Sequence, residues 1–244
     1  MSSKIILVTG ANRGIGFAIV QRLATAFPQN TYLLGVRKFS SGEEAISTLR
    51  AQGLTATFSP IEIDITSDTS IAFAASTVES KFGQLDILIN NAAVAELIKP
   101  GVPGFRESCN RTLDANVTSF LQVTSAFLSL LHLSASPKVI NISSARGSVY
   151  RQTHSELPPT ASIPYSISKM AMNIAMLEMA KLEPKVLFQA ASPGHCKTAF
   201  NGFRGTKDPL DGAEVVVRLV EDEEGRFSMG FWELEEGEMR SVPW

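Results

Sequence analysis

Tyr165 and Lys169 are the two side chains of this sequence whose types and spacing best suit proton transfer. They stand four residues apart in the segment YSISK, and side chains at this spacing share one face of a helix. A phenol has an ordinary pKa of about 10, and a neighbouring ammonium lowers that pKa by favouring the phenolate. Tyr165 could then act as a general acid in a reduction and as a general base in an oxidation. Taken alone, a tyrosine and a lysine at this spacing are more often structural.

Ser143 and Ser144 strengthen the case for chemistry because they follow a predicted strand. A hydroxyl at that position could reach the same substrate oxygen as Tyr165, from the facing loop. It would stabilise negative charge that develops on the oxygen.

The glycine-rich segment TGANRGIG, residues 9–16, connects the first predicted strand to the first predicted helix. Its three glycines let the backbone turn tightly and approach a phosphate, and the helix N-terminus supplies free N–H groups and a partial positive charge. The segment therefore predicts a binding site for the pyrophosphate of a dinucleotide.

The end of the second predicted strand indicates which dinucleotide is bound. NAD sites carry an acid there for the ribose 2′-OH, whereas this segment reads LGVRK and has no acid. Arg37, helped by Arg13 or Lys38, could pair with a 2′-phosphate through charge-assisted hydrogen bonds. The segment favours NADP(H). The alternative is that Arg37 and Lys38 are solvated loop cations.

These residues need a scaffold, and the sequence alternates short apolar runs with longer segments of helical period. The runs predict strands near 4–9, 31–36, 55–63, 85–90, 137–143 and 185–191, and the periodic segments predict helices near 14–27, 42–52, 68–82, 105–132, 162–182 and 209–220. We predict an α/β fold, a Rossmann-type doubly wound parallel β-sheet with helices on both faces. Ser67 or Asp68 is expected to cap the third helix, and Gly83 to end it.

The loops 92–104, 145–164 and 192–208 would lie at the carboxyl ends of the strands, where such sheets bind ligands. We expect them to form the substrate cleft. The acid-rich segment 221–238 is interpreted as a solvated face. The final residues 241–244 either pack across a neighbouring edge or form an untethered tail.

Length and composition limit the classes of protein to which this chain can belong. The chain has 244 residues, 44% of them apolar and 19% charged, which predicts one domain spanning 1–244. Two cysteines, Cys109 and Cys196, do not suggest a disulfide framework, and no ligand spacing indicates a metal. We therefore expect reduced thiols in the cytoplasm. No basic cluster indicates nucleic-acid binding, and the apolar run near the N-terminus is too short for a signal peptide or a membrane span.

In combination, the motifs resemble those of the short-chain dehydrogenase/reductase family, in order and spacing, from residue 5 to about residue 200. The family's glycine motif corresponds to Thr9 to Gly16, and its NNAG element corresponds to Asn90-Asn91-Ala92-Ala93. The serine motif corresponds to Asn141-Ile142-Ser143-Ser144. The YxxxK pair corresponds to Tyr165 to Lys169, and the PG element corresponds to Pro193-Gly194 with Thr198. The combination is far more specific than any one motif.

The resemblance implies a catalytic tetrad of Asn116, Ser144, Tyr165 and Lys169. It places a ketone oxygen between Ser144 and Tyr165, lets Asn116 hold a water that relays protons to Lys169, and implies a dimer or tetramer. The implied cofactor site comprises Gly10, Asn12, Arg13, Gly14, Ile15, Gly16, Arg37, Asp64, Ile65, Asn91, Ala92, Tyr165, Lys169, Pro193, Gly194 and Thr198.

Three features depart from the family pattern. Ala93 replaces the usual glycine, the segment between Ser144 and Tyr165 is longer than usual, and His195-Cys196 stands where aliphatic residues are frequent. We interpret His154 and His195 as solvated loop residues and Cys196 as a packing residue.

The leading hypothesis is reduction of a ketone or aldehyde on a small, moderately apolar molecule with NADPH. The alternatives are oxidation of a secondary alcohol with NADP+ in the same site, and a nucleotide-binding regulator that has lost turnover. A sugar-nucleotide epimerase or dehydratase is less favoured, because that branch has a different glycine spacing and a longer C-terminal domain.

Overall fold

Each apolar run of the sequence forms a strand of one sheet. The computed structural model describes residues 3–244, and their strands are β1 Ile5–Thr9, β2 Thr31–Val36, β3 Thr57–Glu62, β4 Ile87–Asn90, β5 Lys138–Ile142, β6 Leu187–Ser192, β7 Gly230–Glu235 and β8 Glu238–Ser241. The strand order is β3-β2-β1-β4-β5-β6-β7-β8. Within this order β1 to β7 pair in parallel, and β8 pairs antiparallel with β7.

Helices cover both faces of the sheet. They are α1 Gly14–Ala26, α2 Phe39–Ala51, α3 Asp68–Phe82, α4 Phe105–Leu113, α5 Ser119–Leu131, α6 Val149–Thr153, α7 Ile163–Leu182 and α8 Pro209–Glu221. Buried side chains of α1, α2 and α8 form one apolar core, and those of α3, α5 and α7 form another on the opposite face. This confirms the predicted Rossmann-type doubly wound α/β fold.

The chain reverses its direction across the sheet between β1 and β4. It runs outward from β1 through β2 to β3, and then returns to place β4 on the other side of β1. Open α/β sheets bind ligands beside such a reversal, at the carboxyl ends of the strands. The glycine-rich segment and the loops after β4 and β5 all begin at this edge.

The third helix has the ends that the sequence predicts. The Ser67 hydroxyl accepts a hydrogen bond from the backbone N–H of Ser70, and Gly83 ends the helix in a left-handed conformation with φ of 76°. A side chain disfavours that conformation, which glycine adopts without strain.

The helix predicted near 105–132 is present over residues 105–131, but it is not α-helical throughout. A π-helical turn, Asp114–Thr118, separates α4 from α5. The wider turn carries Asn116, whose side chain bonds the backbone of Val94 instead of facing solvent. Such single π turns interrupt α-helices most often at functional sites.

Part of the acid-rich C-terminal segment forms strands β7 and β8. Its interpretation as a solvated face holds for most of the acids and was wrong for Asp222 and Glu233, which are 1% and 6% exposed. Phe231 and Glu233 lie on one face of β7 and are buried, whereas Trp232 and Leu234 lie on the other face and are partly buried, so that acids alternate with apolar residues from Trp232 to Glu235. This alternation hides the strand from a search for continuous apolar runs.

The last residues pack against the domain, so the untethered alternative was wrong. Val242 is 1% exposed, and its N–H donates to the carbonyl oxygen of Phe231. The rings of Trp244 and Phe231 have centroids 5.7 Å apart. The carbonyl oxygen of Trp244 accepts a hydrogen bond from the N–H of Tyr150, at the start of α6.

A partly buried ion pair joins α6 to β7. Both terminal nitrogens of the Arg151 guanidinium donate to the carboxylate of Glu233, one of them at 2.9 Å. The side chain of Glu233 is only 8% exposed, and its carboxylate raises the pKa of Arg151. The longer segment after Ser144 is thereby anchored to the edge of the sheet.

Within residues 3–244, no helix has both the length and the apolar character needed to cross a membrane. The same residues contain no group of three or more His, Cys, Asp or Glu side chains placed to hold a metal ion.

We predict that Glu233→Gln lowers the free energy of unfolding by about 1–3 kcal/mol, because it removes the buried carboxylate that binds both terminal nitrogens of Arg151 and leaves only the exposed Glu156, 3.5 Å from Nε, as an ion-pair partner. Urea denaturation measures the change. Glu235→Gln is the matched control, since Glu235 lies 3.9 Å from Lys207 and is half exposed; that variant should change stability by less than about 0.5 kcal/mol. Equal losses in the two variants would contradict the anchoring role of Glu233.

Candidate active site

The glycine-rich segment forms a tight turn between β1 and α1. Gly10 and Gly14 have φ of 67° and 58°, which is left-handed backbone. At Gly16 an added Cβ would lie 2.4 Å from the carbonyl oxygen of Gly10, so no side chain fits there. Arg13 caps α1 without a side-chain hydrogen bond, so this side chain satisfies none of the first N–H groups of the helix. The turn therefore fits an anionic group at the helix N-terminus.

Thr9 and Asn91 tie the end of β1 to the loop after β4. The Thr9 hydroxyl accepts hydrogen bonds from the backbone N–H groups of Asn91 and Ala92, both at 3.0 Å. The side-chain amide of Asn91 donates to the carbonyl oxygens of Thr9 and Gly10. Ala93 does not have a positive φ, so the backbone at this departure from the family pattern does not require glycine.

Basic side chains surround the end of β2. Arg13, Arg37 and Lys38 are all exposed. Asp64 follows β3, and its pKa is lowered by hydrogen bonds from the backbone and hydroxyl of Thr66, with a smaller contribution from the charge of Arg37. Arg37 and Asp64 therefore face the same region, as expected if both contact the adenosine half of a dinucleotide.

Tyr165 lies in the first turn of α7, and Ser144 lies directly after β5. Burial raises the pKa of Tyr165 to about 12, while the hydroxyl of Ser144 and the charge of Arg146 act in the opposite direction. The sequence argument expected the ammonium of Lys169 to lower this pKa. Instead, loss of hydration outweighs nearby charge, and the pKa moves upward.

Lys169 is buried and lies 5.6 Å from the centre of the Tyr165 ring. Its ammonium donates to the carbonyl oxygen of Ile142, at the end of β5, over 2.6 Å. Burial lowers its pKa to about 7, so the charged and neutral forms are close in population at neutral pH. A cavity of about 10 Å³ adjoins Lys169, and Ile65 and Ala92 also line it.

Asn116 lies beside the same cavity and is 2% exposed. Its side-chain oxygen accepts from the N–H of Val94, and its nitrogen donates to the carbonyl oxygen of Val94 and to the hydroxyl of Ser168. The amide thus connects the loop after β4 to α7. This environment differs from that of an ordinary polar helix residue, while the expected water relay stays a prediction.

The segment after β6 completes this edge of the site. Pro193 ends the strand region, Gly194 has φ of 83°, and the side chain of Thr198 lies 3.7 Å from the position of a Cβ on Gly14. The thiol of Cys196 donates to the carbonyl oxygen of Pro193, and burial raises its pKa to about 11. A thiol in this state suits packing and not nucleophilic attack.

The loops predicted to form the cleft contact one another and the candidate catalytic residues. The N–H of Ile98 donates to the carbonyl oxygen of Ala161, which joins the loop after β4 to the segment before α7. His154 and His195 are exposed, and the ring of His154 stacks on that of Tyr150.

Sequence reasoning missed two residues at the site. The Phe200 ring lies edge-on to the Tyr165 ring, with centroids 5.7 Å apart, and Phe200 is 49% exposed. The guanidinium of Arg146 donates to the carbonyl oxygen of Pro158. The sequence offered one signal for each residue: Arg146 stands two residues after Ser144, and Phe200 stands two residues after Thr198.

Comparisons with known proteins identify related chains. The family model for short chain dehydrogenase matches residues 4–208. A short-chain dehydrogenase/reductase of Aspergillus fumigatus is 40% identical over 100% of this chain and 98% of its own. A short-chain dehydrogenase of Penicillium roqueforti is 35% identical over 90% of this chain and 89% of its own.

Among solved structures, the NADPH-bound carbonyl reductase from chicken fatty liver has a TM-score of 0.84 to this chain. The two are 24% identical, and the alignment covers 100% of each chain. At this identity the likeness establishes the fold.

We predict that the stability difference between the wild type and Lys169→Met depends on pH. Below about pH 7 the lysine carries its proton in both the folded and the unfolded chain, so the difference is constant. Between pH 7 and about 10.5 only the unfolded chain keeps that proton, so the wild type gains stability relative to the variant as pH rises. Urea denaturation from pH 6 to 10 measures this.

Lys181→Met serves as the control, because Lys181 is exposed on the same helix. Its stability difference from the wild type should be flat above pH 7. Parallel pH profiles for the wild type and Lys169→Met would contradict the lowered pKa of Lys169.

Proposed function

Because this chain belongs to the short-chain dehydrogenase family of oxidoreductases, we propose that it reduces a ketone or aldehyde on a small, moderately apolar molecule to the alcohol with NADPH. The observation that carries the proposal is the meeting of three groups at one edge of the sheet. The hydroxyl of Ser144 is close enough to lower the pKa of the Tyr165 phenol against the effect of burial, and the Nζ of Lys169 lies 5.6 Å from the centre of the Tyr165 ring. A proton donor and an oxyanion stabiliser thereby converge on one point.

The residues along this edge of the sheet suit the successive parts of a dinucleotide. The turn that excludes a side chain at Gly16 would hold the pyrophosphate, assisted by Asn12, Arg13 and Ile15. The adenine would lie beside Asp64 and Ile65. The nicotinamide end would lie against residues from three segments, namely Asn91, Ala92, Tyr165, Lys169, Pro193, Gly194 and Thr198. When bound, NADPH supplies the hydride.

NADPH is favoured over NADH by charge. Arg37 and Lys38 follow β2, where an NAD site has an acid, and Arg13 lies in the glycine turn; all three are exposed, and Arg37, helped by one of the others, would pair with a 2′-phosphate. The chicken carbonyl reductase that shares this fold is described as NADPH-bound, which supports the same choice.

Four side chains would have separate roles in the proposed reduction. Ser144 donates a hydrogen bond to the carbonyl oxygen of the substrate and so stabilises the charge that develops there. Tyr165 donates its proton to the same oxygen. The phenol is protonated at neutral pH, as a donor requires, both at its ordinary pKa of about 10 and at the higher pKa that burial gives it. Lys169 lies close enough to favour the phenolate that remains, and Asn116 would hold the water through which Lys169 is reprotonated.

An apolar substrate is supported by an exposed aromatic ring beside Tyr165. The Phe200 ring contacts the Tyr165 ring and is half exposed, so it can pack against a substrate bound there. Burial of such a ring against an apolar group contributes to binding.

Alcohol oxidation with NADP+ would use the same residues in reverse. It needs Tyr165 as a base, and the cellular ratio of NADPH to NADP+ would choose between the two directions. A regulator without turnover is disfavoured because Tyr165 and Lys169 are both present and correctly spaced on α7.

The oligomeric state and the cellular compartment are also part of the proposal. Ile167 and Ile174 are exposed on α7, and such apolar side chains suit contact between copies in a dimer or tetramer. Cys109 and Cys196 are both unpaired, as a reducing cytoplasm maintains.

We predict that Tyr165→Phe lowers kcat for ketone reduction by about 10²- to 10⁴-fold, because the variant lacks the proton donor. The Kd for NADPH, measured by fluorescence titration, should change by less than about threefold. Tyr150→Phe is the matched control and should keep full turnover, since Tyr150 lies on α6 and stacks on His154. Unchanged turnover in Tyr165→Phe on a verified substrate would refute the assigned donor.

We predict that Arg37→Asp weakens NADPH binding by about 10- to 100-fold, which corresponds to the loss of one charged hydrogen bond. NADH binding should be unchanged or tighter. Arg240→Asp, at the opposite edge of the sheet in β8, should alter neither Kd. If Arg37→Asp weakens NADPH and NADH binding equally, Arg37 does not read the 2′-phosphate.

A further inference from the structure

Asn173 is a buried polar side chain on α7 that the proposed mechanism does not use. It lies one helical turn beyond Lys169 and is 2% exposed. Its side-chain oxygen accepts a hydrogen bond from the hydroxyl of Ser143 at 2.7 Å. Its side-chain nitrogen donates to the carbonyl oxygen of Gly147 at 3.3 Å. The two partners flank Ser144 along the chain.

The segment that carries Ser144 lies directly on α7. An added Cβ on Gly147 would lie 2.9 Å from the backbone carbon of Lys169, so only glycine permits this approach. The 3₁₀ turn Ala145–Gly147 begins at Ser144, and the N–H of Gly147 donates to the carbonyl oxygen of Ser144. Both ends of the segment are therefore fixed relative to the helix that bears Tyr165 and Lys169.

The amide of Asn173 suits this role because it offers one acceptor and one donor in a single plane. The acceptor holds Ser143 before the reactive position, and the donor holds Gly147 after it. Loss of either bond leaves a buried polar group unpaired, which the segment can relieve only by moving. Any such movement displaces the hydroxyl of Ser144.

Ser143 and Ser144 consequently have separate tasks. The hydroxyl of Ser143 is buried and committed to Asn173. The hydroxyl of Ser144 faces Tyr165 and accepts only the backbone N–H of Arg146, at 3.3 Å, among the bonds that residues 3–244 provide.

We propose that Asn173 is a positioning residue that holds the hydroxyl of Ser144 at its working place against Tyr165, by clamping Ser143 and Gly147. This inference rests on the proposed function, in which Ser144 stabilises charge on the substrate oxygen. Misplacement by about 1 Å can cost about 100-fold in rate, so the clamp bears directly on turnover.

The test is a double-mutant cycle on kcat for ketone reduction with NADPH, using wild type, Asn173→Ala, Ser144→Ala and the double variant. We expect Asn173→Ala to lower kcat about 10- to 100-fold while the KM for NADPH changes less than threefold. In the Ser144→Ala background the same substitution should lower kcat less than threefold, because the hydroxyl that it positions is already absent.

A second variant covers the case in which Asn173→Ala fails to fold. Ser143→Ala removes one of the two bonds with a smaller change of volume, and it should lower kcat about 3- to 10-fold, again only when Ser144 is present. Asn30→Ala is the matched control. Asn30 is a buried amide that binds the N–H of Lys4 at the opposite end of β1, so its loss should lower stability and leave kcat unchanged.

Two results would overturn the inference alone, and a third would overturn it together with the proposed role of Ser144. One is a loss of kcat for Asn173→Ala and for Ser143→Ala that is equally large in the Ser144→Ala background, and the other is an unchanged kcat in both single variants. Equal turnover of Ser144→Ala and the wild type would overturn the proposed role of Ser144 and this inference together. If Ser144→Ala does lower turnover but the losses in the double variant are additive, this inference alone is overturned and the proposed role of Ser144 stands.

Discussion

Buried hydrogen bonds that tie together the ends of β1, β4 and β5 are the constraint on which the site depends. The hydroxyl of Thr9 and the amide of Asn91 join the first two strands. The amide of Asn90 donates to the side-chain oxygen of Asn141 on β5. An unpaired amide in this interior is costly, so the strand ends cannot shift separately. The glycine turn, Ser144 and the loop that meets Asn116 are all attached to these ends.

Loss of hydration controls the two titratable groups at the centre of the site. It raises the pKa of Tyr165 and lowers that of Lys169, so both groups favour their neutral forms relative to water. The ammonium of Lys169 has the carbonyl oxygen of Ile142 as its partner and no carboxylate within residues 3–244. The phenol therefore stays protonated at neutral pH, which is the state that the proposed ketone reduction requires.

The sequence predicted the parts of the fold that depend on local pattern. Continuous apolar runs located β1 to β6, Ser67 and Gly83 located the ends of α3, and motif spacing brought Tyr165 and Lys169 to one place. The remainder depends on partners distant in the chain. Strand β7 was missed because alternate acids interrupt it, and the π turn was missed because Val94, which bonds Asn116, lies far away in sequence.

The most direct test of the central claim is a titration of the purified wild type with NADPH and, separately, with NADH, followed in the same cuvette by ketones, aldehydes and quinones while cofactor oxidation is recorded. The account predicts tighter binding of NADPH by at least tenfold and oxidation of bound NADPH by at least one carbonyl compound. Tighter binding of NADH, or no binding of either cofactor, would contradict it.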